Sequence, residues 1–341
     1  MRKFSLLILT SLVLINSKAQ DPNFSQFFVS PLTLNPALTG KFNGDFRIAG
    51  NYRDQWPSIS KAFITSTVSV DFPILRGRLS ELDTWGVGVM AMTDKTANGI
   101  LSTNQVSITT AYHKGLDENG LHQIGIGFQG TYSNKRLDGT KLNFEDELDQ
   151  YGGWNNPSDE IGINGQELNL SYFDVSAGVL YNGSTDGYNN FYLGVSAYHL
   201  NKPQESFTGD IFYTLSQRYT VHAGGAIPIG DATRTVYLSS LYSHQAGANN
   251  IVIGGALGFA LNDEPENPSN FYAGIWTRFN NVNDAIIPYL GLEFNGFRLG
   301  ASYDVNISSL KTASQSRGGL EVSLIFIKRP PGYKGVPCPR F

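Results

Sequence analysis

Five histidines, His113, His122, His199, His222 and His244, have the widest chemical range of any residues in this 341-residue chain. They form no HExxH pair or other close ligand spacing. All lie in or beside segments that alternate like strands, so a solvated setting or one facing a barrel lumen is expected rather than a metal centre. Two acidic clusters could offer oxygen ligands to Ca2+: Glu145, Asp146, Glu147 and Asp149 in "FEDELDQ", and Asp263, Glu264 and Glu266 in "NDEPEN". Neither has the D-x-D-x-D-G spacing of an EF-hand, and solvated loop charge is the expected role. There is no G-x-S-x-G nucleophile element and no Walker loop. Glycine pairs such as Gly254 and Gly255 suit packing or curvature better than a phosphate cradle. The expectation is therefore no enzyme, with no catalytic residue, cofactor or metal.

"NYRDQWPSIS", residues 51 to 60, is more specific. Arg53, Gln55 and Trp56, with Pro57 next, fit an aromatic belt closed by a type I turn. They fit equally a fixed contact inside a barrel mouth, with Arg53 paired to a lumen acid. Both readings stay open at this level.

The chain opens with Arg2 and Lys3, the apolar run "FSLLILTSLVLI", and small residues Ser17 and Ala19 before Gln20. That is the layout of a secretory signal over residues 1–19, cut at Gln20. No cysteine stands at the cut to make a lipoprotein. Loss of Arg2, Lys3 and Lys18 takes the basic count from 25 to 22 against 29 acidic residues, a net of −7, which argues against nucleic acid as a partner. The single cysteine, Cys338, can form no intramolecular disulfide.

The period of the remaining chain supplies the scaffold. In "LHQIGIGFQGTY", Ile124, Ile126, Phe128 and Tyr132 share one face, and Gln123, Gly125, Gly127 and Gln129 the other. In "GLEVSLIF", Leu320, Val322, Leu324 and Phe326 oppose Glu321 and Ser323. About fourteen such segments run near 44–53, 61–71, 83–93, 101–113, 121–133, 170–181, 189–200, 217–227, 233–244, 249–260, 269–279, 285–294, 296–305 and 317–327. Soluble strands cluster near 5 to 6 residues, roughly, whereas a tilted membrane strand needs about 9 to 11. The predicted fold is all-β, an antiparallel transmembrane β-barrel over residues 44–327 that crosses the outer membrane many times and contacts its lipid. A periplasmic tail, 328–341, follows.

Loop lengths agree with that topology. If both termini are periplasmic, connections after odd strands point outward, and these include the two longest, 134–169 and 201–216. "PIGDA" at 228–232 and "NG" at 295–296 are compact, although 72–82 is a longer exception. Trp85, Tyr112, Tyr132, Tyr181, Tyr198, Tyr242, Phe271, Tyr289 and Tyr303 lie near strand ends and are expected in interfacial girdles.

Residues 20–43 fit no strand. Pro22, Pro31 and Pro36 argue against a helix or a central strand, yet Phe24, Phe27, Phe28, Leu32 and Leu34 need burial. A plug or gasket in the barrel mouth, on an extended backbone pre-set by proline, would bury them against small lumen-facing residues.

The ordered set "DPNFSQFFVSPLTLNPALTG", "RDQWPSI", "YHKGL", "SAYHLNKPQESF", "SYDVN" and the terminal "CPRF" resembles the PorP/SprF family of Bacteroidetes outer-membrane proteins, over nearly the whole mature chain. The resemblance implies a non-enzymatic barrel of the type IX secretion system, associated with gliding motility, whose partners are translocon components. SprF-like members accompany one large secreted adhesin and recognise its C-terminal targeting domain, whereas PorP-like members are tied to the core machinery. On the SprF-like reading, Tyr151, Trp154, Phe207, Phe212 and Tyr213 in the outward loops are candidate cargo contacts. The alternative is an outer-membrane pore or hydrophobic-solute uptake channel.

Overall fold

The structure, a computed structural model, describes residues 21–57, 63–76, 78–160, 162–230, 233–262, 268–280, 284–309 and 311–329. The signal segment, the acids Asp263, Glu264 and Glu266, the end of "RDQWPSI" and Cys338 lie outside the described residues.

Alternating apolar and small or polar residues build fourteen strands. The first seven are β1 (Phe46–Gln55), β2 (Phe63–Ile74), β3 (Thr84–Thr96), β4 (Leu101–Gly115), β5 (His122–Asp138), β6 (Glu167–Gly183) and β7 (Asn190–Tyr198). Then come β8 (Arg218–Ile229), β9 (Arg234–Gln245), β10 (Ala248–Ala260), β11 (Asn270–Phe279), β12 (Ala285–Phe294), β13 (Phe297–Asn306) and β14 (Arg317–Lys328). Each pairs antiparallel with its sequence neighbours, and β14 returns to pair with β1, closing a barrel without an edge. Among the described residues no helix is long and apolar enough to cross a membrane. Closure lets strands span a bilayer with every backbone polar group satisfied.

The faces divide as the period predicts. Ile108, Ile126 and Phe128 are more than half exposed on the outside of the wall, while Gln123, Gln129, Ser133 and Thr131 are buried inside. Tight turns use left-handed backbone where it is cheapest: Asn295 and Gly296 (φ 50° and 80°) join β12 to β13. The two longest connections, 139–166 and 199–217, fall on the same rim, the one outer-membrane barrels direct outward.

Two of the strand-end aromatics depart from the girdle expectation. Tyr198 and Tyr289 are 4% and 2% exposed and point into the lumen, because they fall on the inward phase of their strands. Phase, and not nearness to a strand end, decides whether an aromatic meets lipid.

Inside the barrel lie residues 21–44. The prolines do not hold this segment fully extended. Three single helical turns, Phe27–Val29, Pro31–Leu34 and Pro36–Leu38, form instead, the last two with proline at their first position, where its missing N–H costs nothing. Asn35 caps the third turn, its side chain accepting from Ala37 N at 2.8 Å.

Candidate functional site

The lumen and its filling form the site. Phe24, Phe27, Phe28, Leu32 and Leu34 are all at least nine-tenths buried. Phe28 packs at a tilt against Trp276 and makes an edge-to-face contact with Tyr289, with ring centroids 4.8 and 5.5 Å away. Trp276 is accommodated because Gly254, directly across on β10, leaves its ring room that a side chain would take.

The wall opposite is cut low to receive the segment. Gly86, Ala111, Gly127, Gly178 and Ser196 are register partners in succession across β3 to β7, a row of small residues at one level. The turn Pro36–Leu38 lies on this row, so close to Gly127 that no Cβ would fit against the Pro36 and Ala37 backbone. Polar contacts pin the same stretch. Ser196 Oγ donates to Leu34 O at 2.8 Å, and Asn35 Nδ2 donates to the carbonyls of Val179 and Val195 at 3.1 and 3.2 Å. The Gly40 N–H donates to Asp71 at 2.8 Å, while Arg47 clamps Asp71 bidentately and donates to Leu38 O.

Nearer the outer rim, four buried charges meet. Arg53 on β1 pairs with Glu321 on β14 at 2.6 Å and with Asp304 on β13 at 3.1 Å; Arg278 on β11 pairs with Asp304 as well. The lumen segment completes the network. Glu321 accepts the Ser25 and Gln26 backbone N–H groups at 2.5 and 2.8 Å, Ser25 Oγ donates to Asp304 at 2.9 Å, and Arg53 donates to Asn23 O at 2.6 Å. Gln26 adds hydrogen bonds to Ser302 and Ser323. Because β1 pairs with β14, with Arg53 opposite Glu321, the segment is fastened to the seam that closes the barrel.

Its first described residue reaches the outer mouth. His199, just beyond β7, donates from Nε2 to Asp21 at 2.7 Å and from Nδ1 to Asp174 at 3.0 Å, while Arg218 stands 3.3 Å from Asp21. Burial pushes the His199 imidazole down, but the Asp21 charge and the hydrogen bonds to both carboxylates outweigh it and raise it from 6.5 to about 9. Burial likewise opposes ionisation of Asp21, yet the charges of His199 and Arg218 and hydrogen bonds hold it well below the usual carboxylate range.

The sign follows from linkage: the His199 contribution is fully present below about pH 6.5 and is lost as pH rises through about 9. It is on the order of 3 kcal/mol. The Asp21 contribution is present above its ordinary range and is lost only in strong acid. Thermal melting should therefore fall between pH 7 and pH 9.5, and His199→Gln should flatten that slope. An unchanged slope in the variant would show that the latch carries no stability.

Of the residues singled out from sequence, Arg53 is 2% exposed in the charge network, while Gln55 and Trp56 line the outer mouth, where Trp56 packs edge-on against Phe63. The loop aromatics are spread out: Tyr151 and Phe212 are 88% and 87% exposed, Trp154 and Tyr213 about half, and Phe207 is half-buried. Trp154 bridges to Leu148 within its own loop, so the set does not form one patch. Asp146 and Asp149 organise that loop. Asp149 accepts from Asn155 and from the Gly153 and Tyr151 N–H groups, and Asp146 from the Asp159 N–H and Ser158, which lowers both carboxyls. His113 and His222 are buried in the lumen, where His113 lies 3.2 Å from Thr39 O and His222 3.0 Å from Asn35 Nδ2. Among the described residues no cluster could hold a metal ion.

Sequence reading did not assign Arg278, Asp304, Ser25, Gln26 and Glu321 to the site. The signal was available: "WTRF", "SYDVN" and "GLEVSL" each put a charge on the inward phase of a membrane strand, where it needs a partner.

No curated protein matches the chain. Solved structures share the barrel only. A FadL homologue of Pseudomonas aeruginosa aligns at 10% identity and TM-score 0.47, covering 86% of this chain and 92% of that one. BamA from Haemophilus ducreyi lacking POTRA domains 1–3 aligns at 9% and 0.43, covering 84% and 70%. A mutant ferric enterobactin receptor of P. aeruginosa aligns at 13% and 0.36, covering 76% of this chain, which spans 44% of the receptor's length. The type IX secretion system membrane protein PorP/SprF family matches residues 16–326, nearly the whole chain, and with the closed barrel this establishes that the chain is a multi-pass outer-membrane member of the PorP/SprF family.

Proposed function

We propose that this chain is a non-enzymatic, SprF-like partner of the type IX translocon that assists secretion and surface attachment of a large adhesin by binding the adhesin's C-terminal targeting domain. The observation that carries the reading is the filled lumen. A family member of a secretion system whose own bore is occupied from residue 21 to residue 44 acts on its cargo by docking and not by conducting it. The outer rim offers a broad surface for docking, with Tyr151 and Phe212 presenting nearly bare rings on the two longest loops. Aromatic rings of that kind supply large contact area at low entropic cost.

The detergent-solubilised protein should retain the adhesin's C-terminal domain on an affinity column. Tyr151→Ala with Phe212→Ala should weaken retention by about tenfold or more if either is an anchor. Liposome uptake of small solutes by the full-length chain, without retention of the domain, would select the pore or uptake channel instead.

A further inference from the structure

Above residues 21–23, the barrel opens into a vestibule of about 540 Å3 at the outer rim, lined by the outer ends of β1 to β6 and of β10 and β11. That size lies within the range of sites holding small organic ligands. Three of its polar atoms have no protein partner: Arg53 Nε, Asn250 Oδ1 and the Trp56 indole N–H. Arg53 and Asn250 are 2% and 6% exposed, so these atoms lie within the wall and not on the open surface of the vestibule.

The charges lining the vestibule are matched, with one exception. Arg53 and Arg278 are taken by Glu321 and Asp304, Lys135 by Glu205, and Asp21 by His199 and Arg218. Asp94, on β3, accepts only the Thr65 hydroxyl, at 2.6 Å, and has no ion-pair partner among the described residues. Beside these polar groups stand Phe63, Met92 and Leu101.

We infer that the vestibule binds a short extended polypeptide segment carrying one basic side chain. Carboxamides and hydroxyls, with both donors and acceptors, suit the alternating N–H and C=O of an extended backbone; the apolar wall takes its side chains, and Asp94 takes the ammonium or guanidinium. This inference rests on the reading of the chain as a docking partner for secreted protein and names where an extended part of such a partner would sit.

The test uses the full-length protein in detergent and two blocked five-residue peptides, identical except for a central lysine or glutamate, followed by tryptophan fluorescence and calorimetry. The lysine peptide should bind, and the glutamate peptide should not. Asp94→Asn should weaken the lysine peptide by about tenfold or more while leaving heat-modifiable migration unchanged. Asn250→Leu should weaken it independently of the central charge. Equal binding of both peptides, indifference to Asp94→Asn, or a response to an oligosaccharide and to neither peptide would overturn the inference. Retention of the adhesin domain, measured separately, keeps the two claims apart. Domain retained with no peptide response removes the vestibule site alone, whereas peptide binding without domain retention removes the cargo reading alone.

Discussion

Deletion of residues 22–39 is expected to turn a silent barrel into a conducting one. In planar bilayers the full-length protein should pass no steady current, because Phe27, Phe28, Val29, Leu34, Ala37 and Leu38 form one buried cluster with inward aromatics such as Tyr192, Tyr237 and Trp276. Without the segment, those aromatics face an open bore whose remaining lining of serine, threonine, glutamine and charged pairs water wets readily. The deletion should also melt at a lower temperature. Each large apolar side chain it removes had contributed about 1.5 to 3 kcal/mol by burial. Ordering eighteen residues opposes that gain at roughly 1 to 2 kcal/mol of backbone entropy per residue, a cost at least as large, so the segment also needs its hydrogen bonds to Glu321, Asp304, Asp71 and Ser196. A deletion variant that remains silent and melts with the full chain would show that the segment neither seals nor braces the barrel.

Glu321→Ala should be the most damaging single substitution in the wall. It strips one of two carboxylates from a site holding Arg53 and Arg278, and it leaves the Ser25 and Gln26 N–H groups without their acceptor. Removing one partner of a buried pair costs about 3 to 5 kcal/mol, since the charge left behind is neither solvated nor matched. Combining it with Arg53→Met should restore part of the loss, because the remaining Asp304 and Arg278 are then balanced. Urea unfolding followed by heat-modifiable migration reads both. A double variant as unstable as the sum of the two singles would mean that the charges act independently and the seam is held by backbone pairing alone.

How far these groups were legible differs by type. The strand ends predicted for β12, at 285 and 294, coincide with those observed, and most others fall within a few residues, because a wall with lipid on one side and a polar lumen on the other imposes strict alternation. The burial need of Phe24, Phe27 and Phe28 was equally plain from apolar residues with no strand to join. Their partners were not. Phe28 meets Trp276 and Tyr289 some 250 residues away in sequence, and Tyr289 reads as a girdle residue until its phase is known.

By itself, then, the sequence determined the period, the strand number, the closed antiparallel barrel and the presence of an apolar, proline-marked segment ahead of it, since each is a local pattern of residue types. Only the tertiary structure decided that this segment runs from the outer mouth at Asp21 to the inner rim at Gly40, that Gly86, Ala111, Gly127, Gly178 and Ser196 align into one low row beneath it, and that Arg53, Arg278, Asp304 and Glu321 meet. Such meetings depend on register across many strands and on closure of β14 onto β1. A charge on one strand therefore finds its partner through the geometry of the whole ring and not through its neighbours in the chain.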